Sequence, residues 1–441
     1  TRVEDARSSL YDAARPDAVA KVQARGRLSA RERIARLVDR GSFDEIGGLV
    51  VASDLADPDE AQKARARTPA DGVIAGTARI DGRPVVVFSQ DFSVQGGSIG
   101  RLGSAKGRRV LQIALTEGVP LVMILDGGGH RIQDGQDSRH FAAANGMFHD
   151  MARASGWIPM VALMLGAGFA GPTNYAGMAD CVVMVRGLST MGLAGPALVK
   201  AATGEEIDTE SLGGAEVQVD RQGLADLGVA DEDAAFAAAK RFLSYLPSNA
   251  RTAPPAAEPG DVRSAIDDKI LELVPVSTRK AYDVRKVLAM IADPGSYFEL
   301  KPTFAGNLVT SLVRLGGRPV GFIANQAMRL GGMLDANACD KGARFIATCD
   351  AFGLPLVSFI DVPGFSIGSG AERTALGRRS AKLVFEWGHA SVPRISVVLR
   401  KGYGLGYFAM AGGRSFGADA CFAWPTAEIC AMSIEGAIDV A

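Results

Sequence analysis

The chain has 441 residues, more than one hydrophobic core usually supports, so two domains are expected. Its 48 basic and 49 acidic residues give a net charge of −1, which excludes a general electrostatic attraction to nucleic acid or to an anionic membrane. With 47% hydrophobic and 22% charged residues and 53 glycines, the composition is typical of a globular, loop-rich α/β enzyme rather than a disordered or fibrous chain.

The N-terminal region, residues 1–40, is charged and has the character of a helical arm, which we expect to make contacts between subunits. It lacks the apolar core of a signal peptide. The apolar runs 119–125 and 158–165 are far shorter than the roughly 20 residues that a membrane span needs. We therefore expect a cytoplasmic protein without a membrane partner, in which these runs form buried strands.

The five cysteines are scattered along the chain, without a CxxC pair or a histidine at ligand spacing. This arrangement argues against a zinc module and against a disulfide framework. The sequence therefore predicts reduced thiols and no bound metal. The cysteines are Cys181, Cys339, Cys349, Cys421 and Cys430.

A first strand is expected over 41–51 and an exposed charged segment over 54–67. Alternating apolar residues on either side of Asp81-Gly82 predict a β-hairpin, and a helix follows over 106–116. Buried strands, glycine-rich loops and helices then alternate, which indicates α/β layering.

The second half of the chain repeats the first at a spacing of about 235 residues, so the repeated unit is a whole domain. The segment PLVSFIDVPGF matches PLVMILDGGGH, and the segment over 309–326 matches the first predicted hairpin. The tract 247–262 is rich in Pro and Ala and predicts an interdomain linker. We place the two domains at 1–250 and 251–441.

Each half contains two glycine-bearing loops at the ends of buried strands. Small residues let backbone N–H groups approach a ligand oxygen closely, and a helix N-terminus adds a favourable dipole. Two such donors can stabilise the enolate of a thioester without an acidic side chain. Glycine-rich turns are also ordinary α/β architecture, but neither a dinucleotide fingerprint nor a P-loop is present.

The chain supplies few side chains for catalysis, and histidine is the residue whose charge changes near neutral pH. His130 lies inside the first glycine loop beside Arg131, where substrate contact, acid–base work and simple loop packing all remain open. The chain has no GxSxG or HExxH motif. His140, His149 and His389 are interpreted as polar residues outside the site.

These segments together resemble the carboxyltransferase β subunits of biotin-dependent acyl-CoA carboxylases, of the acetyl- and propionyl-CoA type. The resemblance covers nearly the whole chain and is carried by RLSARERIARLVDRGSFDEI, DGRPVVVFSQDFSVQGGSIG, GGHRIQDG, ATGEEIDTESLGGAEV, RFLSYLPSN, GRPVGFIANQ, KGARFIATCDAFGLPLVSFIDVPGF and ADACFAWPTAEI. It implies an α/β fold of two tandem crotonase-like domains, each a ββα superhelix. Family members usually continue for several dozen residues beyond the position matching residue 441.

The resemblance also implies the mode of action. Acyl-CoA would bind mainly on the N-terminal domain, and biotin, carried on a separate biotin carboxylase or biotin carrier subunit, would enter from the C-terminal domain of another copy. A homo-oligomer, typically a hexamer, is implied. Backbone N–H groups would stabilise the anions: Gly128 and Gly129 at the thioester oxygen, and Leu405 and Gly406 at the biotin ureido oxygen.

Further residues are implied to contact the substrates. The set comprises His130, Arg131, Phe169, Ala170 and Gly171 in the N-terminal half, and Gly364, Phe365 and Phe408 in the C-terminal half.

Three positions depart from the usual family pattern. His130 stands where a small residue is usual, GAGFAGP with Pro172 stands for GPCAGGA, and GLGYF stands for GGAYD, which introduces Leu405 and Phe408. Two alternatives therefore remain open: a biotin-independent acyl-CoA decarboxylase or acyltransferase with His130 as proton donor, and a non-catalytic paralogue that assembles with an active carboxylase.

Overall fold

The computed structural model describes residues 2–52, 63–64, 66–143, 146–258, 269–414 and 416–440. Most of the predicted charged segment and the end of the predicted linker lie outside these residues. The chain forms two compact units, Thr1–Ser244 and Tyr245–Ala441. The division proposed from the sequence, between residues 250 and 251, stays a prediction.

The first unit contains a seven-stranded sheet in the order β1-β2-β3-β4-β5-β7-β9 and a two-stranded sheet of β6 and β8. Strands β1 to β3 are antiparallel to one another, and the strands from β3 to β9 are parallel. The strands are β1 Asp44–Glu45, β2 Val73–Ile80, β3 Arg83–Gln90, β4 Leu121–Leu125, β5 Met160–Met164, β6 Ala167–Phe169, β7 Cys181–Val185, β8 Thr190–Gly192 and β9 Leu227–Val229.

Helices pack against the strands of this sheet. They are α1 Arg2–Ser8, α2 Pro16–Gln23, α3 Ala30–Leu37, α4 Arg101–Glu117, α5 Ile132–Gly135, α6 Ser138–Ala143, α7 Phe148–Ala154, α8 Gly171–Met178, α9 Pro196–Thr203, α10 Thr209–Gly213 and α11 Glu232–Tyr245. Strands β4, β5 and β7 are buried along their whole length. Buried parallel strands of this kind are apolar at every position, as the sequence of each shows.

Local sequence accounts for several element ends. Asp81 and Gly82 take φ of 50° and 76°, as a two-residue hairpin turn requires, which confirms the predicted hairpin. Ser29 and Glu32 form a capping box at the start of α3. The strand predicted over 41–51 is wrong for most of its length: only Asp44–Glu45 is extended, because Gly47, at φ 65°, turns the chain away.

The second unit repeats this plan. Its sheet has seven strands in the order β10-β11-β12-β13-β14-β15, with β16 also paired to β14. The strands are β10 Phe298–Leu300, β11 Leu308–Leu315, β12 Arg318–Asn325, β13 Leu356–Val362, β14 Arg394–Tyr403, β15 Ala420–Ala423 and β16 Glu428–Cys430. The helices are α12 Lys269–Leu273, α13 Val284–Ile291, α14 Ala336–Ala351, α15 Ser369–Glu372, α16 Leu376–His389, α17 Gly404–Ala409 and α18 Ile434–Val440.

The predicted duplication is visible in side chains as well as in elements. Lys106 on α4 and Lys341 on α14 occupy equivalent positions of the repeat, and each buries an ammonium group that donates to backbone carbonyls at the start of a hairpin. Lys106 donates to the carbonyl of Val73 at 2.5 Å, and Lys341 to that of Leu308 at 2.6 Å. Val73 and Leu308 are separated along the chain by the same interval as the two lysines, so the two units are copies of one fold.

Candidate active site

The first glycine loop leaves the end of β4 and bonds several of its backbone polar groups to the segment 90–99. The N–H of Gly128 donates to the carbonyl of Gly96 at 3.4 Å, and the carbonyl of Gly128 accepts from the Gln90 side chain at 3.3 Å. The carbonyl of Gly129 accepts from the N–H of Ile99 at 3.0 Å. In the part of the chain that the structure describes, the N–H of Gly129 has no acceptor, and it is the free donor of the pair.

The second glycine loop meets the first at Gly129. A Cβ atom built on Gly129 would lie 3.0 Å from the Cβ of Ala170 and 3.5 Å from the backbone nitrogen of Gly171. The N–H of Ala170 donates to the carbonyl of Gly192 at 2.8 Å. Gly171 opens α8, and its N–H is one of those that a helix start leaves without an intrahelical acceptor.

Ala170 takes an unusual backbone conformation at this junction. Its φ of 62° and ψ of −121° lie in a region that suits glycine and is strained for alanine. Phe169, just before it, stands over two glycines: Cβ atoms built on Gly192 and Gly195 would lie 3.3 and 3.6 Å from its ring. The strained turn and the packed ring together fix the direction in which α8 begins.

His130 lies in the first loop beside the free N–H of Gly129. It forms a bridge with Ile99, and its ring meets the edge of Phe141 at a centroid distance of 5.5 Å and an angle of 80°. The imidazole is half-buried, while Phe141 is exposed. The ring contact is with a helix that follows the first loop, so a role of the His130 side chain in ligand contact stays a prediction.

Arg131 is buried and holds the loop from behind. Its guanidinium pairs with Asp71 at 2.5 Å and donates to the carbonyl of Ser98 at 3.3 Å. The second carboxylate oxygen of Asp71 accepts from the N–H of Gly103 at 2.8 Å. Substrate binding by Arg131 stays a prediction, since these contacts are those of a residue that shapes the loop.

A buried charge network anchors the residue before the glycines. Asp126 pairs with Arg33 at 2.6 Å and with Arg27 at 3.0 Å, and Arg33 also pairs with Glu232 at 2.6 Å. Burial raises the pKa of the Asp126 carboxyl, and the two arginines act against that shift. The network ties α3 to the end of β4 and to the start of α11.

The second unit brings its own two loops together at the equivalent positions of the repeat. A Cβ atom built on Gly406, the counterpart of Gly171, would lie 2.9 Å from the Cα of Gly364, the counterpart of Gly129. The carbonyl of Gly364 accepts from the N–H of Leu334 at 3.0 Å, and Phe365 forms the bridge to Leu334. This close approach needs glycine at position 406.

Leu405 and Phe408 lie on α17 beside this junction. The Leu405 side chain is 58% exposed and that of Phe408 is 38% exposed. Within the described residues, the backbone N–H groups of Leu405 and Gly406 have no acceptor. Tyr407, between them and Phe408, is buried, and burial with the neighbouring Cys421 raises its pKa to about 12.

Among the described residues, no three His, Cys, Asp or Glu side chains are grouped as a metal site would require. None of the helices in those residues is long and apolar enough to cross a bilayer.

Residues 21–441 match the model of the carboxyl transferase domain. The chain belongs to the carboxyl transferase family. It is 39% identical to the methylmalonyl-CoA decarboxylase subunit alpha of Veillonella parvula, over 96% of this chain and 82% of that one. It is 40% identical to the biotin-dependent acetyl-/propionyl-coenzyme A carboxylase beta5 subunit of Mycobacterium tuberculosis, over 96% and 77% of the two chains.

The structure is similar to that of a transcarboxylase 12S hexamer solved with hydrolysed methylmalonyl-coenzyme A bound. The TM-score is 0.89 at 40% identity, and the match covers 96% of this chain and 81% of that one. The predicted family, the crotonase-like fold and the carboxyltransferase function of the biotin-dependent carboxylases are therefore confirmed. The roles of individual residues stay predictions.

Three residues that hold the first glycine loop in place were not predicted from the sequence. Gln90, Asp126 and Arg33 were not singled out. A search for polar residues that recur at equivalent positions of the two halves would have found Asp126 with Asp361 and Gln90 with Asn325. Arg33 lies inside RLSARERI, a motif used for the resemblance but not interpreted chemically.

Proposed function

We propose that this chain transfers CO2 from carboxybiotin, carried on a partner subunit, to the α carbon of an acyl-CoA by stabilising anions with backbone N–H groups. The observation that carries the proposal is the free N–H of Gly129 beside the helix start at Gly171. Two donors aimed at one point supply the charge stabilisation that an enolate oxygen needs. No acidic side chain is required for that task.

The acyl-CoA side would use Gly129 and Gly171. The pair predicted from the sequence was Gly128 and Gly129, but the N–H of Gly128 already donates to Gly96. The enolate oxygen would accept hydrogen bonds from the N–H groups of Gly129 and Gly171. His130 and Phe169 would form the walls around the acyl group. Ala170 would contribute its Cβ to the wall between them.

The biotin side would use the loops of the second unit. The N–H groups of Leu405 and Gly406 would donate to the ureido oxygen, with Gly364, Phe365 and Phe408 around it. The close approach of Gly406 to Gly364 brings these two loops together and supports this assignment. Carboxybiotin, when bound, supplies CO2 and a ureido nitrogen that takes up the α proton of the acyl-CoA.

The partner would be a biotin carboxylase or biotin carrier subunit, and the chain would work as a homo-oligomer. A hexamer is supported by the transcarboxylase 12S structure, which is described as one. We further propose that the protein is cytoplasmic and holds no metal. His130, bulkier than the usual family residue in the acyl-CoA loop, favours an acyl group other than acetyl or propionyl, while Leu405 and Phe408 would narrow the biotin side.

An acyl-CoA panel tests the proposal. The purified chain is combined with a biotinylated carboxylase partner, and label from bicarbonate is followed into acetyl-, longer, branched and hydroxylated acyl-CoA products. Incorporation into one class establishes the activity and names the substrate. Absence of biotin-dependent incorporation with every acyl-CoA, from a chain that binds CoA, would exclude the carboxylation that we propose.

A second candidate is decarboxylation of a carboxyacyl-CoA through the same enolate. It is favoured by the similarity to a chain named as a methylmalonyl-CoA decarboxylase subunit. His130 would then be the candidate donor of a proton to the α carbon if biotin is not needed. Biotin-independent CO2 release from methylmalonyl-CoA that is lost in His130→Ala would support it, and release that survives the change would remove His130 from that role.

A further inference from the structure

Gln90 ends β3 and lies completely buried beneath the first glycine loop. Its side-chain amide makes three hydrogen bonds to backbone groups. The nitrogen donates to the carbonyl of Gly97 at 2.8 Å and to that of Gly128 at 3.3 Å, and the oxygen accepts from the N–H of Asp126 at 3.1 Å. Both amide hydrogens are therefore in use, and the orientation of the amide is fixed by its partners.

The bond to Gly128 determines where the N–H of Gly129 points. The chain has no cis peptide among the described residues, so the carbonyl of Gly128 and the N–H of Gly129 lie on opposite sides of one planar peptide. Because the carbonyl is drawn inward to Gln90, the N–H is turned outward, away from the core. The nitrogen of Gly171 lies close to the same residue, 3.5 Å from a Cβ built on Gly129.

The counterpart in the second unit lacks this contact. Asn325 occupies the position equivalent to Gln90 in the repeat and is one methylene shorter. Its amide reaches the carbonyl of Gly332 at 3.0 Å and the N–H of Asp361 at 3.2 Å, matching two of the three bonds of Gln90. The third bond, to the glycine loop, is specific to the first unit.

We propose that Gln90 is a positioning residue that orients the Gly128–Gly129 peptide so that the Gly129 N–H faces the thioester oxygen of the acyl-CoA. The inference rests on the proposed function, because it takes the Gly129 N–H as an oxyanion donor. Gln90 does not touch the substrate itself. Its effect is expected on the enolate, where charge on the oxygen is greatest, rather than on the binding of CoA.

A purely structural role for Gln90 gives a different expectation. If the amide only braces Gly97 and Asp126, its loss should lower stability without changing how the thioester carbonyl is polarised. The test therefore needs a readout at the carbonyl in addition to the rate. The stretching frequency of a bound, isotope-labelled thioester carbonyl provides one, because hydrogen bonding lowers it, and it needs neither biotin nor a partner.

Two variants of Gln90 separate the contacts. Gln90→Glu keeps the size of the side chain but replaces the amide nitrogen, which donates to the carbonyls of Gly97 and Gly128, with an oxygen. At most one of these two hydrogen bonds can then form, and only when the carboxyl is protonated. Gln90→Asn copies the arrangement of Asn325 and shortens the reach to Gly128, and it serves if the first variant does not fold. Gln218→Glu is the matched control, since Gln218 also donates to a backbone carbonyl in this unit, that of Met191 at 3.0 Å.

In both Gln90 variants we expect kcat to fall by about 10- to 100-fold with little change in KM or in CoA affinity, and the downshift of the thioester carbonyl to shrink. Gln218→Glu should retain both. A folded Gln90 variant with the wild-type carbonyl frequency and kcat overturns the positioning role. Failure of the wild-type chain to carboxylate any acyl-CoA would instead overturn the proposed function, so the two failures are distinct.

Discussion

Asp126 and Asp361 occupy the same position in two copies of one fold, yet their charges are balanced from different parts of the chain. Asp126 pairs with Arg33 of α3, 93 residues earlier, at 2.6 Å. Asp361 pairs with Arg400 of the neighbouring strand β14 at 2.8 Å. Each carboxylate precedes a glycine-bearing loop, so each loop depends on a different counter-charge.

The buried pair predicts a large loss of stability when Arg33 is removed. Arg33→Met leaves Asp126 and Glu232 with fewer partners in a buried site, and we expect the free energy of unfolding to fall by about 3 to 5 kcal/mol. Urea unfolding measures it. Arg36→Met, which breaks the exposed pair of the same helix with Asp233, should have little effect, and equal losses in the two variants would contradict this explanation.

The free donor at Gly129 predicts sensitivity to a single added methyl group. In Gly129→Ala the new Cβ would lie 3.0 Å from that of Ala170, so the loop must move. We expect kcat for carboxylation to fall by about 100-fold. Gly177→Ala is the control. Gly177 lies on the same helix as Gly171, and a Cβ built on it meets no atom within 4 Å. A rate for Gly129→Ala equal to that of the control would argue against an oxyanion role.

The strained turn at Ala170 predicts that glycine is the more stable residue there. Ala170→Gly relieves the positive φ, and we expect a gain of about 1 kcal/mol in the free energy of unfolding after the entropic cost of glycine is subtracted. Ala167→Gly, in the extended strand just before it, should instead lose about 0.5 to 1 kcal/mol. Denaturant melts of both variants check the sign, and a loss at both positions would show that no strain is relieved.

Lys106 predicts a rise in stability with pH. Burial lowers its pKa from 10.5 to about 8, so between these values the unfolded chain holds a proton that the folded chain has released. The free energy of unfolding should therefore increase as pH rises through this window. Its value below pH 8 should be about 3 kcal/mol smaller than its value above pH 10.5. Unfolding of the wild type and of Lys106→Met from pH 7 to 11 measures the difference, and parallel curves would contradict it.

The junction in the second unit predicts an effect confined to biotin. Gly406→Ala would bring a Cβ within 2.9 Å of the Cα of Gly364, so the two loops must separate. We expect biotin-dependent turnover to fall by about 100-fold while acyl-CoA affinity is retained. Gly388→Ala on α16, where a Cβ meets nothing within 4 Å, is the control. Loss of acyl-CoA binding in Gly406→Ala would contradict the division of tasks between the units.

Much of the fold was predictable because short-range rules determine it. The Asp81-Gly82 turn and the uninterrupted apolar run of β4 each encode their structure locally. The helix predicted over 106–116 extends over Arg101–Glu117, and Gly103 in the added first turns lies too close to Asp71 and Val73 for any larger residue. The small sheet of β6 and β8 was missed, since strands of three residues have no detectable period.

The site was predictable only as a set of loops. Glycine spacing indicated where backbone donors could lie, but it could not tell which N–H is free. That depends on Gly96, whose carbonyl accepts from the N–H of Gly128, while Gln90, 38 residues from Gly128 along the chain, binds the Gly128 carbonyl. The close approach of Gly171 to Gly129 likewise arises from the packing of two loops that only the folded sheet brings together.

The different origins of the two counter-charges have a consequence for dissection of the protein. In the second unit both cations that pair with Asp361, Arg400 and Lys401, lie on the neighbouring strand. The counter-charges of this carboxylate therefore belong to the same sheet as the carboxylate itself. In the first unit the cations that pair with Asp126, Arg27 and Arg33, lie in the segment before the first strand of the sheet. Removing the residues before the first strand would therefore leave the Asp126 carboxylate without these two counter-charges, although every residue of the glycine loop would remain.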